Sequence, residues 1–170
     1  MDPKTNTVDG FRFLPPKLTK WIQSFIPETF QGEIPFTPLQ KPLDQVRMAA
    51  VTTAGISLKT DAPFDMAREK KEPLYGDPTY RAIPRGTTGA DVNVNHLHIN
   101  TRYINEDINV MLPIGLLAQL EKDGVIGELA PTAYSFYGYQ WTEDFLDQAI
   151  APMTRTMLAE GVEAVLLTPA

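Results

Sequence analysis

His96 and His98 are the only histidines in the chain, two positions apart and followed closely by Asn100. On an extended segment such spacing puts both rings on one face. There they can orient a carboxylate, transfer a proton during bond cleavage, or hold a metal with Asp77 or Asp107. The plainer alternative is that the imidazoles satisfy backbone groups at a strand end. No metal is expected, because a third and fourth ligand have no convincing spacing. Thr52, Thr53 and Gly55 offer hydroxyls and N–H groups that can hold an anion, or they form only a strand-to-loop turn. No GxGxxG or Walker lysine pattern accompanies them, so a dinucleotide or triphosphate site is unsupported. Tyr134, Ser135, Tyr137 and Tyr139 crowd one segment, read as a loop, that either lines a pocket or packs; Ser135 lacks a nucleophile elbow. Asp77 and Arg81 suit a local ion pair or a lid. Glu106-Asp107 reads as a helix or turn start. The chain contains no cysteine, which removes disulfides, thiolate metal sites and a cysteine nucleophile.

The elements that must position these residues follow from periodicity. Residues 1–43 are rich in proline and admit one short helix, from Pro16 through Leu18, Ile22 and Phe25 to a stop at Pro27. This segment reads as an arm, because Trp21, Phe25, Phe30 and Phe36 need cover from water. Residues 44–170 read as one α/β domain. Val46–Thr53 is a buried parallel strand, residues 58–91 are a long loop insertion, and Val92–Ile99 is a second strand with His96 and His98 on one face. A helix is predicted over Ile114–Lys122 through Leu116, Leu117 and Leu120, capped by Gly124. A short strand follows at Ile126–Ala130. A long helix spans Thr142–Glu160, with Thr142 as N-cap, a kink at Pro152 and an apolar face of Leu146, Ile150, Met153 and Met157. Ala164–Leu167 is the last strand. This alternation predicts a Rossmann-like three-layer sandwich with a mostly parallel sheet, whose ligands gather beyond the carboxyl ends of the strands.

A length of 170 residues fits one full domain. The net charge of −6 argues against nucleic acid as a partner. The absence of a long apolar run and of a signal-like start argues against a membrane, so a cytoplasmic location is expected.

Six blocks, in order, resemble the selenoprotein B family of glycine, sarcosine, betaine and D-proline reductases: VTTAGISLKTDAPFD (51–65), GDPTYRAIP (76–84), HLHIN (96–100), EDINVMLP (106–113), GVIGELAPTAYSFYGY (124–139) and EGVEAVLLTPA (160–170). None is specific alone; together they are. The resemblance implies a selenocysteine or cysteine directly after the strand that ends at Thr168-Pro169-Ala170. It further implies an amino-acid substrate held by a carbonyl group (pyruvoyl type) on a partner subunit, and a thiol that regenerates the selenol. The expected function is therefore a truncated or short subunit of an amino-acid reductase, inactive without that selenol or thiol, with no cofactor in this chain. A UGA codon read as stop would end the product at Ala170; a shorter natural relative or a cut chain would do the same. The active-site cleft is expected to include His96, His98, Thr53 and Thr168, with Thr52, Gly55, Asn100, Tyr134, Ser135 and Tyr137 binding substrate. Two other readings stand beside it: a non-catalytic small-molecule-binding or subunit-interaction module, naturally a symmetric homodimer, and a metal-dependent hydrolase using the histidine pair.

Overall fold

The computed structural model describes residues 10–24, 37–72, 74–140 and 143–170. The chain divides into two compact units, Met1–Thr37 and Pro38–Ala170. In the first, a 3-10 turn at Gly10–Phe13 precedes helix α1 (Pro16–Gln23). Pro16 stands in its first turn, where a missing N–H leaves no bond unmade. Phe25, Phe30, Phe36 and the expected stop at Pro27 lie outside the described residues.

The second unit is built around β1 (Arg47–Thr52), whose apolar residues are buried from Ala49 onward. It pairs in parallel with β7 (Ala164–Thr168) on one side, and with β5 (Glu128–Leu129) and then β6 (Thr132–Gly138) on the other. Register moves from Arg47↔Glu128 to Val51↔Tyr134, so the chain at Ala130-Pro131 carries two extra residues. Strand β3 (Gly76–Pro84) closes the sheet antiparallel to β6. The result is the expected α/β arrangement, a mostly parallel sheet with helices on both faces.

The period of two along β1 sorts its side chains between those faces. Ala50 packs with Ile104 of α3 (Arg102–Glu106) and with Ile114 and Leu117 of α4 (Ile114–Lys122). Ala49 and Val51 pack with Met153 and Met157 of α6 (Ala151–Ala159). Each fully buried Ile, Leu or Met contributes about 1.5–3 kcal/mol. Of Leu116, Leu117 and Leu120, which marked the helical spacing of α4, Leu117 is buried together with Ile114, whereas Leu116 and Leu120 are exposed.

Four other expectations are corrected. Residues 58–91 are not structureless: they hold the end of β2 (Ile56–Leu58), helix α2 (Met66–Glu69) and all of β3. Pro78 and Pro84 are tolerated because β3 is an edge strand with β6 as its neighbour in the sheet. The second strand ends early: β4 (Val92–Val94) pairs antiparallel with β2 in a separate two-stranded sheet, so His96 to Asn100 form a loop rather than a parallel strand end. Of the tyrosine-rich segment read as a loop, Tyr134, Ser135 and Tyr137 belong to β6, next to the central strand, and Tyr139 follows its end. Finally, the long helix is α5 (Glu143–Phe145), a π-turn at Leu146–Ile150, and α6. The wide turn makes room for the Pro152 ring and shifts the buried face, so Phe145 and Ala149 are buried and Leu146 is exposed. Thr142 lies outside the described residues.

Candidate functional site

Beyond the carboxyl ends of β1 and β7 lies a cavity of about 470 Å³. Thr53, Pro169 and Ala170 form one wall, and Glu69, His96 and His98 another; Ile99, Gly138 and Tyr139 complete it. The wall at β7 is tied to β1. Thr53 Oγ1 accepts the Ala170 N–H at 2.7 Å, and the Thr53 N–H donates to the Thr168 carbonyl at 3.3 Å.

The histidine loop is hung from Gly55. Its carbonyl accepts both the backbone N–H and the Nδ2–H of Asn95, each at 2.9 Å, while its own N–H donates to Phe136. Gly55 has φ +64°, and a Cβ there would lie 2.1 Å from the Asn95 carbonyl oxygen. Only glycine meets both demands.

His96 stands edge-on to the buried Tyr137 ring, centroids 5.7 Å apart, and its Nδ1 accepts the His98 N–H at 3.1 Å. Burial, helped by neighbouring His98, holds the His96 pKa below the ordinary value of 6.5. Its ring is therefore neutral at pH 7, with the proton assigned to Nε2. His98 Nε2 contacts Glu69 Oε1 at 2.9 Å; the imidazole is 60% exposed and the Glu69 side chain 2%. Among the described residues no group of three or more His, Asp or Glu side chains is placed to hold a metal.

Other expected site residues take structural roles. Thr52 is fully buried, and its hydroxyl donates to the Thr168 carbonyl at 3.0 Å. The Thr168 hydroxyl lies 2.6 Å from the Met111 carbonyl. Ser135 Oγ accepts the Ile56 N–H at 2.7 Å, fixing β2 on β6. Asn100 Oδ1 accepts the Arg102 N–H, an entry to α3, and does not line the cavity. Tyr134 faces the opposite side of the sheet against Met153 and Met157, where burial, and next Glu160, push its pKa up to about 12. Tyr137 reaches the site only as the surface under His96. Asp77 does not pair with Arg81: its oxygens accept the Asp65 and Thr79 N–H groups and the Thr79 hydroxyl. Arg81 instead lies over the Phe64 ring, 4.2 Å from its centroid. Asp107 caps a turn by accepting the Asn109 N–H, and Glu106 pairs with Arg102.

Sequence reasoning missed Glu69. It sits in the run Arg68-Glu69-Lys70-Lys71-Glu72, which has the composition of a solvated surface. Only the folding of α2 against the histidine loop removes it from water, and no periodicity announces this.

The sequence model of the glycine/sarcosine/betaine reductase selenoprotein B family matches residues 24–170. Over 152 residues the chain is 34% identical to the D-proline reductase subunit gamma of Acetoanaerobium sticklandii, covering 89% of this chain and 60% of that one. It is 30% identical to the glycine reductase complex component B subunit gamma of Peptoclostridium acidaminophilum, over 75% of this chain and 28% of the relative. With the sarcosine reductase complex component B subunit beta of the same organism the identity is 28%, over 79% and 30%. The match thus spans 60% of the length of the first of these relatives and 28% and 30% of the other two. No solved structure matches it. Six sequence blocks in order, a mostly parallel α/β sheet and a match over residues 24–170 lead to one assignment: the chain belongs to the glycine/sarcosine/betaine reductase selenoprotein B family.

Proposed function

We propose that this chain is a subunit of an amino-acid reductase, and that the cavity beyond β1 and β7 receives an amino-acid substrate for reductive C–N cleavage. The observation that carries this reading is that Pro169 and Ala170 line the same cavity as Thr53, His96 and His98. A selenolate or thiolate placed directly after Ala170 would attack the α-carbon, the C–N electron pair leaving with nitrogen, and an external dithiol would then supply two electrons to release the product. Thr53 fixes the approach of that position through its bond to the Ala170 N–H. His96, neutral and held through Nδ1, offers its Nε2–H to a substrate carboxylate. His98, steadied by Glu69, would give a proton to the departing amine.

The partners in this reading are a pyruvoyl-type subunit carrying the carbonyl group and a thiol reductant, and the location is the cytoplasm. A homo-oligomer is favoured by β7, where Val165 and Leu167 are 41% and 69% exposed. Sedimentation velocity at micromolar concentration tests it, and a strict monomer contradicts it.

The histidines make the main test direct, since the chain holds two. Titration with glycine, sarcosine and D-proline, followed by the imidazole C–H resonances, is expected to shift both rings saturably with at least one of the three. No shift with any of them overturns the reading. The 170-residue polypeptide with dithiothreitol is expected to reduce none of them; turnover contradicts the requirement for an added chalcogen.

A further inference from the structure

Two carboxylates, Asp77 and Glu69, are buried among the described residues, and they are satisfied very differently. Asp77 accepts from two backbone N–H groups and a hydroxyl, a complement typical of an acid used as a brace. Glu69 spends Oε1 on His98, and its Oε2 is buried with no hydrogen-bond partner. Its side chain is 2% exposed, yet the residue lines the cavity. A carboxylate removed from water and left half-satisfied is costly unless a donor arrives from elsewhere. The groups around it are the imidazoles of His98 and His96, and the cavity-lining residues add no Lys or Arg to balance the charge.

We propose that Glu69 is the cation anchor of this site: Oε2 takes an N–H of the incoming protonated primary or secondary amine, ahead of its capture by a carbonyl of the partner subunit, while Oε1 stays on His98. The proposal rests on the reading of the cavity as an amino-acid pocket and adds the residue that selects the ammonium end. The terminal carboxylate torsion is soft, so a small rotation brings the free oxygen from its dry seat to a ligand in the cavity. A charge-assisted N–H···O bond in such surroundings is among the stronger hydrogen bonds available. A quaternary ammonium carries the same charge but has no N–H to give, so it gains less. On the same wall as the anchor, the Nε2–H of neutral His96 suits a carboxylate, so that the two ends of an amino acid would lie along this wall with the α-carbon facing Pro169 and Ala170.

The test uses the intact chain and three probe types read by the same histidine resonances: an N–H-bearing amino acid (D-proline, glycine or sarcosine), betaine, and tetrahydrofuran-2-carboxylate, in which the ring oxygen replaces the amine. The expected result is binding of the N–H-bearing amine about 10- to 100-fold tighter than the oxygen isostere, with betaine between them. Glu69→Gln is expected to remove that preference while leaving affinity for the isostere unchanged. Glu69→Asp is expected to restore part of it. A purely structural Glu69, or one whose free oxygen holds a buried water, would weaken all probes together or none. Equal affinity for amine and isostere in the unaltered chain overturns the proposal whether or not the variants fold. If no amino acid and no isostere bind at all, the amino-acid pocket itself is wrong. If both bind equally, only the anchor is.

Discussion

The two ends of the central sheet use charge in opposite ways. At the amino ends of β1, β5 and β7, Lys41 pairs with Glu163 at 2.6 Å and Arg47 Nε with Glu128 at 2.8 Å. The side chains of these pairs are 35–51% exposed. In these two pairs each acid has its cation, and water shares the load, so such pairs tether the strands and contribute little else. At the carboxyl ends one acid, Glu69, is dry and only half matched, beside two imidazoles in a cavity. A fully matched charge has nothing left to offer a ligand. The difference marks which end of a sheet is available for chemistry when both look polar in the sequence.

The largest contrast is in the backbone. Gly55→Ala is expected to cost about 3 kcal/mol, the left-handed conformation and the overlap with Asn95 adding together. At the amino end Gly161→Ala, also at positive φ (+73°), meets only the flexible Arg47 guanidinium, 3.3 Å away, and should cost about 1 kcal/mol. Urea midpoints of the two variants compare them, and equal losses would mean that the Gly55–Asn95 contact is not a rigid tie.

A smaller contrast separates the acids. Near the amino end, Glu121 accepts the Leu129 N–H at 3.0 Å and pairs with Arg85, which holds its carboxyl below the ordinary value of 4.5. Glu121→Gln should cost about 1 kcal/mol. The stabilisation from Glu121 is complete above pH 4.5 and is lost as pH falls through the lower folded-state value, because the unfolded chain then binds the proton first. Glu69→Gln should leave stability within about 0.5 kcal/mol or raise it, since a buried charge is removed. Chemical denaturation at pH 7 and 4 reads both, and a large loss for Glu69→Gln would make it a brace like Asp77.

The smallest effect belongs to His96. With its folded pKa lowered, the unfolded state takes up the proton more readily, so stability falls as pH drops below 6.5. His96→Gln should flatten that part of the profile, measured by thermal unfolding between pH 7 and 5; an unchanged slope would place the ring in water.

Much of the frame was legible because single elements declare themselves. The apolar runs of β1 and β7 and the positive-φ glycines after α4 and α6, Gly124 and Gly161, stand where the sequence put them. Strand β6 was hidden by its tyrosines, which resemble a pocket loop although aromatic residues favour strands. Strand β3 was hidden by prolines that only an edge position permits. Of the candidate site, Thr53 and both histidines reach the cavity, whereas Thr52, Ser135 and Thr168 spend their hydroxyls on backbone partners that no linear reading supplies. The local sequence cannot reveal Glu69, since its partner His98 stands 29 positions further along the chain.

The entry to the loop that bears both imidazoles is suspended from Gly55 by Asn95 and main-chain atoms, and the rings add their own ties further along, to the His98 N–H and to Glu69. The first point of suspension of the vessel is thus independent of the side chains that furnish it. A lineage that kept that glycine and asparagine keeps the place where the loop departs while the groups at 96 and 98 change, a frame open to refitting for a different small molecule.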